Sequence, residues 1–154
     1  MSSVHISPPQ QGPVWDMEPG SRPTTFKLLS EQTSNVVALF EEVVPAGSGA
    51  PLHIHHTSDE VIYVLAGEFT FKIGEDVTDG GADTLVFIPR GTAHAWKNSA
   101  SESGQVLFIF TPAEGAKFFE ELRFLEQPLW EIDPATLEAY GRRYGFEVIT
   151  FDWE

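Results

Sequence analysis

Between Phe26 and Thr111 the chain repeats short apolar runs, at residues 36–44, 52–56, 61–65, 69–73, 85–88, 94–98 and 106–111, broken by turn-forming Gly and Pro. Runs of four to nine residues, rich in Val, Ile and Phe and closely spaced, predict strands of an antiparallel sandwich or barrel, so the fold class is all-β. Phe69, Phe71 and Ile73 alternate with Glu68, Thr70 and Lys72, the pattern of a strand with one wet face. Residues 36–40 and 106–110 are apolar at successive positions, which predicts strands covered on both faces. Ala66-Gly67 suits a tight hairpin, and Pro89-Arg90-Gly91-Thr92 a turn with Pro second.

Past Thr111 the period lengthens. Thr111-Pro112-Ala113-Glu114 reads as a capping box opening a helix to about residue 126, with Phe118, Leu122 and Leu125 on one face and Phe119 widening the stripe. Asp133-Pro134 opens a second helix through Leu137, Tyr140 and Tyr144, with Glu138 four residues before Arg142 and Gly145 as the C-terminal cap. The first 25 residues, with Pro8, Pro9, Pro13, Pro19 and Pro23, read as an extended arm. Its Val4, Ile6, Val14 and Trp15 suit contact with the body or a neighbouring subunit, the plainer reading being a disordered terminus. The organisation expected is one domain: arm 1–25, β-domain 26–111, helical appendage 112–154.

Composition narrows the function. A chain of 154 residues that is 42% hydrophobic can bury one core. Nine Lys and Arg against 23 Asp and Glu leave a net charge of −14, unsuited to binding nucleic acid or an anionic membrane, and point to a small-molecule partner. Neither a spanning apolar run nor a secretory leader is evident, so a soluble, cytoplasmic protein is expected. With no Cys, any metal must sit on nitrogen and oxygen. The sequence shows no glycine-rich phosphate loop, nucleophilic Ser motif or basic aromatic patch.

Three of the five His lie in Leu52-His53-Ile54-His55-His56. On a strand, His53 and His55 project from one face and Ile54 from the other. Glu60 shares parity with Ile62 and Val64, and His94 with Trp96 and Asn98, so a carboxylate and a third imidazole join an apolar interior. Such a cluster is costly unpaired, and a divalent metal resolves the cost.

Gly47-x5-His53-x-His55-x4-Glu60-x6-Gly67, followed by Pro89-x-Gly91-x2-His94-x3-Asn98, resembles the two motifs of the cupin superfamily; Asp83 stands where the second motif has Gly. The resemblance implies a double-stranded β-helix, a jelly-roll-like barrel of roughly six to eight strands, with a C-terminal helical appendage. It also implies one metal ion per chain on His53, His55, Glu60 and His94. Fe, Mn, Ni, Co, Cu and Zn all suit those donors. Thr111-Pro112 ahead of a Phe-rich helix, and Ala139-Tyr140-Gly141-Arg142-Arg143-Tyr144-Gly145, resemble the small bacterial cupins that are quercetin 2,3-dioxygenase-like. That likeness implies a metal-dependent dioxygenase acting on an aromatic or enolic, flavonol-like molecule, with Glu60 as catalytic proton acceptor. The alternatives are a metal-assisted isomerase, decarboxylase or lyase, or a non-catalytic metabolite binder.

Plainer readings stand beside these. The four donors could form a metal-free hydrogen-bonded cluster, and His56, of the wrong parity, is expected on the surface or behind the ligands. Ile62, Val64, Trp96, Phe118 and Phe119 are the candidate substrate pocket, though Trp96 suits the core equally and the two Phe suit either a lid or plain helix packing. Asn98 fits a backbone-bonding turn. The two doubly apolar strands, with the apolar arm, predict a homodimer.

Overall fold

A computed structural model describes residues 3–154; the first two residues of the expected arm lie outside the described residues. In chain order the strands are β1 (Val14–Asp16), β2 (Pro23–Leu28), β3 (Ala38–Val44), β4 (Gly49–His55), β5 (Asp59–Ala66) and β6 (Phe69–Ile73). They continue with β7 (Asp76–Gly80), β8 (Leu85–Ile88), β9 (His94–Asn98), β10 (Gly104–Thr111) and β11 (Phe146–Thr150). Helices α1 (Glu114–Leu122) and α2 (Pro134–Tyr144) lie between the last two. The strands form a six-stranded sheet, β1-β2-β3-β10-β5-β8, and a five-stranded sheet, β11-β4-β9-β6-β7. Every pairing between them is antiparallel.

The closed barrel expected from the sequence is corrected: the two sheets stay separate, as in a sandwich, with β1 and β8 as edges of one and β11 and β7 of the other. Strict alternation builds the core between them. Phe40 on β3, Ile62 and Val64 on β5, Phe69 and Phe71 on β6, Trp96 on β9 and Phe108 on β10 are buried, while their neighbours on each strand mostly point outward. The same alternation leaves the second face of these strands uncovered within the described chain. Leu39, Leu107 and Ile109 turn away from the core and stay half-exposed, as period two requires of any single sheet.

The arm does not stay apart from the body. β1 lies within the expected arm and β2 starts at its end and runs past it; the two strands pair, Trp15 and Met17 are buried, and the Trp15 indole donates to the Gln127 carbonyl at 3.0 Å. At the far end of the interior from the His cluster, buried Arg22 pairs with Glu42 and donates to the Gly49 carbonyl at 3.1 Å, joining β2's approach to both sheets. Asp83 adopts φ 70°, the left-handed turn that Gly usually provides, and accepts a hydrogen bond from the Tyr63 hydroxyl.

The C-terminal helices are a minor part of the fold, and after α2 the chain returns to the sheet as β11, beside β4. The Asp133 side chain caps α2 by accepting from Thr136 N–H, and Gly145 ends it at φ 73°. The Thr111 capping box does not form. Thr111 bonds the Val36 carbonyl instead, and Ser58 from the β4–β5 turn accepts from Gly115 N–H at 2.7 Å and donates to the Pro112 carbonyl at 2.6 Å. A Cβ on Gly115 would lie 2.8 Å from the Phe110 ring, so only glycine lets the helix sit this close to β10.

Candidate metal centre

The last residues of β4 and the first of β5 and β9 bring four donors to one place. Register sets His53 opposite His94, and the tight β4–β5 turn carries Glu60 back beside them. His53, His55, Glu60 and His94 are 1–3% exposed, and one ligand atom from each lies within 4.8 Å of the others. At metal–nitrogen and metal–oxygen distances near 2.1 Å, donors on one ion lie at most about 4.2 Å apart, so a small contraction seats an ion. His56 points the other way, half-exposed, and pairs with Glu147 on β11 at 2.7 Å.

Hydrogen bonds orient two of the rings. His53 Nδ1–H donates to the Pro51 carbonyl at 2.6 Å and His94 Nδ1–H to the Thr92 carbonyl at 2.9 Å, which turns both Nε2 atoms inward, the usual support for a ligating imidazole. His94 Nε2 lies 2.8 Å from Glu60 Oε1, so a proton is shared there. His55 is the exception: its Nδ1 is buried without a partner and its Nε2 comes only to 3.7 Å from Glu60. A buried ring so poorly satisfied is costly, and a metal on Nε2 would supply a partner to that nitrogen, though not to Nδ1.

The electrostatics favour neutral imidazoles at two positions. Burial, reinforced by the charge of His94, pushes His53 down to about 3, and burial with the neighbouring His53 and His94 holds His55 well below its ordinary value. For His94 burial also works downward, but the hydrogen bond and charge of Glu60 outweigh it, and the net shift is upward. Two neutral nitrogens and one shared proton are a donor set that a divalent cation fits.

Aromatic rings close the cluster. Phe110 meets His55 edge-on, with centroids 4.9 Å apart. Phe146, the first residue of β11, lies 5.1 Å from His53 and 5.3 Å from His55, and stacks on Phe118 at 4.4 Å and 21°. The sequence reading missed Phe146, although Phe146-Glu147-Val148-Ile149-Thr150 directly after a capping glycine is a β-prone run. Of the candidate pocket residues, Phe118 and Phe119 reach this ring, Phe119 at 6.2 Å. Ile62 and Val64 lie further along β5 in the core, and Trp96 packs on Phe108 at 5.3 Å with the Arg22 guanidinium over its ring. Asn98 bonds the Val44 and Glu102 carbonyls and the Ala100 amide, a turn-holding role.

Comparison with known proteins agrees with this architecture. An uncharacterized protein of Streptomyces coelicolor is 34% identical over 59 residues, 38% of this chain and 55% of that protein, so the chain spans little more than half of that relative's length. KdgF from Halomonas sp. superposes with a TM-score of 0.62 at 16% identity, over 71% of this chain and 94% of its own. A predicted oxalate decarboxylase from Thermotoga maritima gives 0.60 at 21%, over 71% and 98%. Both likenesses are of fold. Residues 40–110, which hold all four donors, match the Cupin domain family model.

Proposed function

We propose that this protein is a metal-dependent dioxygenase acting on an aromatic or enolic small molecule of the flavonol kind. The observation that carries the reading is the company the buried donors keep: His53, His55, Glu60 and His94 are closed in by Phe110, Phe118 and Phe146. Arg22, Arg90, Lys97, Lys117 and Arg142 pair with carboxylates elsewhere, so a flat, weakly charged substrate suits this site better than a polyanion. A divalent ion held by the four donors would lower the pKa of a coordinated hydroxyl. Glu60 would take the proton: its Oε1 lies 2.8 Å from His94 Nε2, and an ion on that nitrogen would displace any proton between them and leave the carboxylate oxygen beside the coordinated hydroxyl as acceptor. His53 and His94, fixed by the Pro51 and Thr92 carbonyls, keep their Nε2 atoms aimed at the ion's position. The Phe rings exclude water from the reacting face.

The likeness to a predicted oxalate decarboxylase favours a second reading, metal-assisted decarboxylation, isomerisation or lysis without dioxygen. A binder without turnover is the third. One experiment orders them. The protein is loaded in turn with Fe, Mn, Co, Ni, Cu and Zn, a flavonol is added without oxygen, and oxygen is then admitted. The dioxygenase shows the spectral shift of a deprotonated, bound hydroxyl and then consumes oxygen. Turnover of an oxygenated metabolite without oxygen moves the second reading ahead, and a shift without turnover of any substrate the third.

A further inference from the structure

The wall over the His cluster comes from a segment beyond the matched cupin residues 40–110. β11 is an edge strand, and its register sets Phe146 opposite His55 and Val148 opposite His53, so the Phe146 ring falls on the face that carries the imidazoles. The ring is gripped on both sides, by His53 and His55 at 5.1 and 5.3 Å and by Phe118 at 4.4 Å. Its backbone is pinned as well. Gly145 accepts from His56 N–H at 2.7 Å, and a Cβ on Gly141 would lie 2.6 Å from the Phe146 carbonyl oxygen, so the last turn of α2 rests directly on the start of β11. Yet Phe146 is only partly buried, whereas both imidazoles behind it are almost wholly so. It is therefore the ring between solvent and the donors.

We infer that Phe146 is the specificity-determining wall of the metal site: the volume and flatness of its ring set the size of ligand that reaches the His53 and His55 side of the ion. The inference rests on the metal-site reading above and names what that site selects. A small anion passes beside a fixed ring. A fused aromatic molecule must displace it or fit the space it leaves.

The test uses the full chain loaded with cobalt, without oxygen, and reads the visible spectrum as azide or a flavonol is titrated in. Phe146→Ala should tighten the flavonol relative to azide by roughly tenfold, and Phe146→Trp should weaken it relative to azide by a similar factor. Using the ratio removes any general change in metal affinity, and Phe146→Trp decides the matter alone if the smaller residue fails to fold. A ratio unchanged in Phe146→Trp, or shifted the same way by both variants, overturns the inference while leaving the metal centre intact. A wild type that takes up no cobalt overturns both. A ratio that moves as expected in a protein that never consumes oxygen upholds the wall and removes only the dioxygenase reading.

Discussion

Each of the three imidazoles is held differently, and substitution should expose the difference. His53 and His94 each have a carbonyl fixing Nδ1, while His55 has none and is packed among Phe110, Phe146 and the other two imidazoles. His53→Ala or His94→Ala should abolish most metal uptake, and His56→Ala, which removes only an exposed pair with Glu147, should leave it at the wild-type level; elemental analysis after dialysis against metal decides. Glu60→Gln should keep appreciable metal on the three imidazoles but lose turnover by roughly a hundredfold or more, the scale for removing a general base. Turnover of the Glu60→Gln protein at the wild-type rate would make the carboxylate structural. These four donors were legible in the sequence because strand parity puts His53 with His55 and Glu60 with Ile62, and the resemblance to the two cupin motifs joins those positions with His94. The carbonyls of Pro51 and Thr92 were not, since backbone acceptors carry no residue signature.

At the scale of elements, legibility followed how much of an element's stability is local. The β3, β5 and β10 runs and the α2 cap stand out because their side chains announce them, period two in the strands and Asp133-Pro134 with Gly145 in the helix. β7 is a run of exposed residues that exists only because β6 offers a hydrogen-bonding edge, so its composition reads as a solvated turn. α1 is read correctly as a helix but for the wrong reason. Its N-terminus is satisfied by Ser58, distant in sequence, while Glu120 anchors its middle by accepting from Ser30 N–H and Oγ–H. Ser58→Ala should therefore cost about 1–3 kcal/mol, the penalty for stranding a buried backbone donor, whereas Thr111→Ala should cost less because that hydroxyl is exposed. Denaturant unfolding of the two variants checks the order. Equal losses would restore the capping role to Thr111.

Over the whole molecule, charge and exposed apolar surface each carry a prediction. His53 sits at about 3 in the fold against roughly 6.5 in an unfolded chain, so between those values the unfolded state binds more protons. Stability from His53 and His55 is complete above about pH 6.5 and is lost as pH falls; His94, shifted upward, contributes the opposite slope. Melting of the metal-free protein should fall on acidification from neutral pH, and the slope should flatten in His53→Gln. A slope unchanged by that substitution would show that His53 is already charged. The second prediction concerns the outer face of the six-stranded sheet. Register aligns Leu39, Ile109, Val61 and Phe87 in one row and Leu107, Tyr63 and Leu85 in the next, with Phe87 55% and Leu85 57% exposed. Nothing in the described chain covers this surface; its acidic groups include Glu41, Asp59, which pairs with Arg90, and Asp83, which accepts from the Tyr63 hydroxyl, so at a net charge of −14 two copies approach best over the apolar rows. A homodimer through this face is the expected state, so light scattering should report twice the chain mass and Phe87→Asp should halve it. Because Trp15 is a core residue, the arm is tested by removing residues 1–12 only. Unchanged association after that deletion would mean that the sheet face, and not an exchanged arm, holds the pair, and a wild-type monomer at micromolar concentration would remove the dimer altogether.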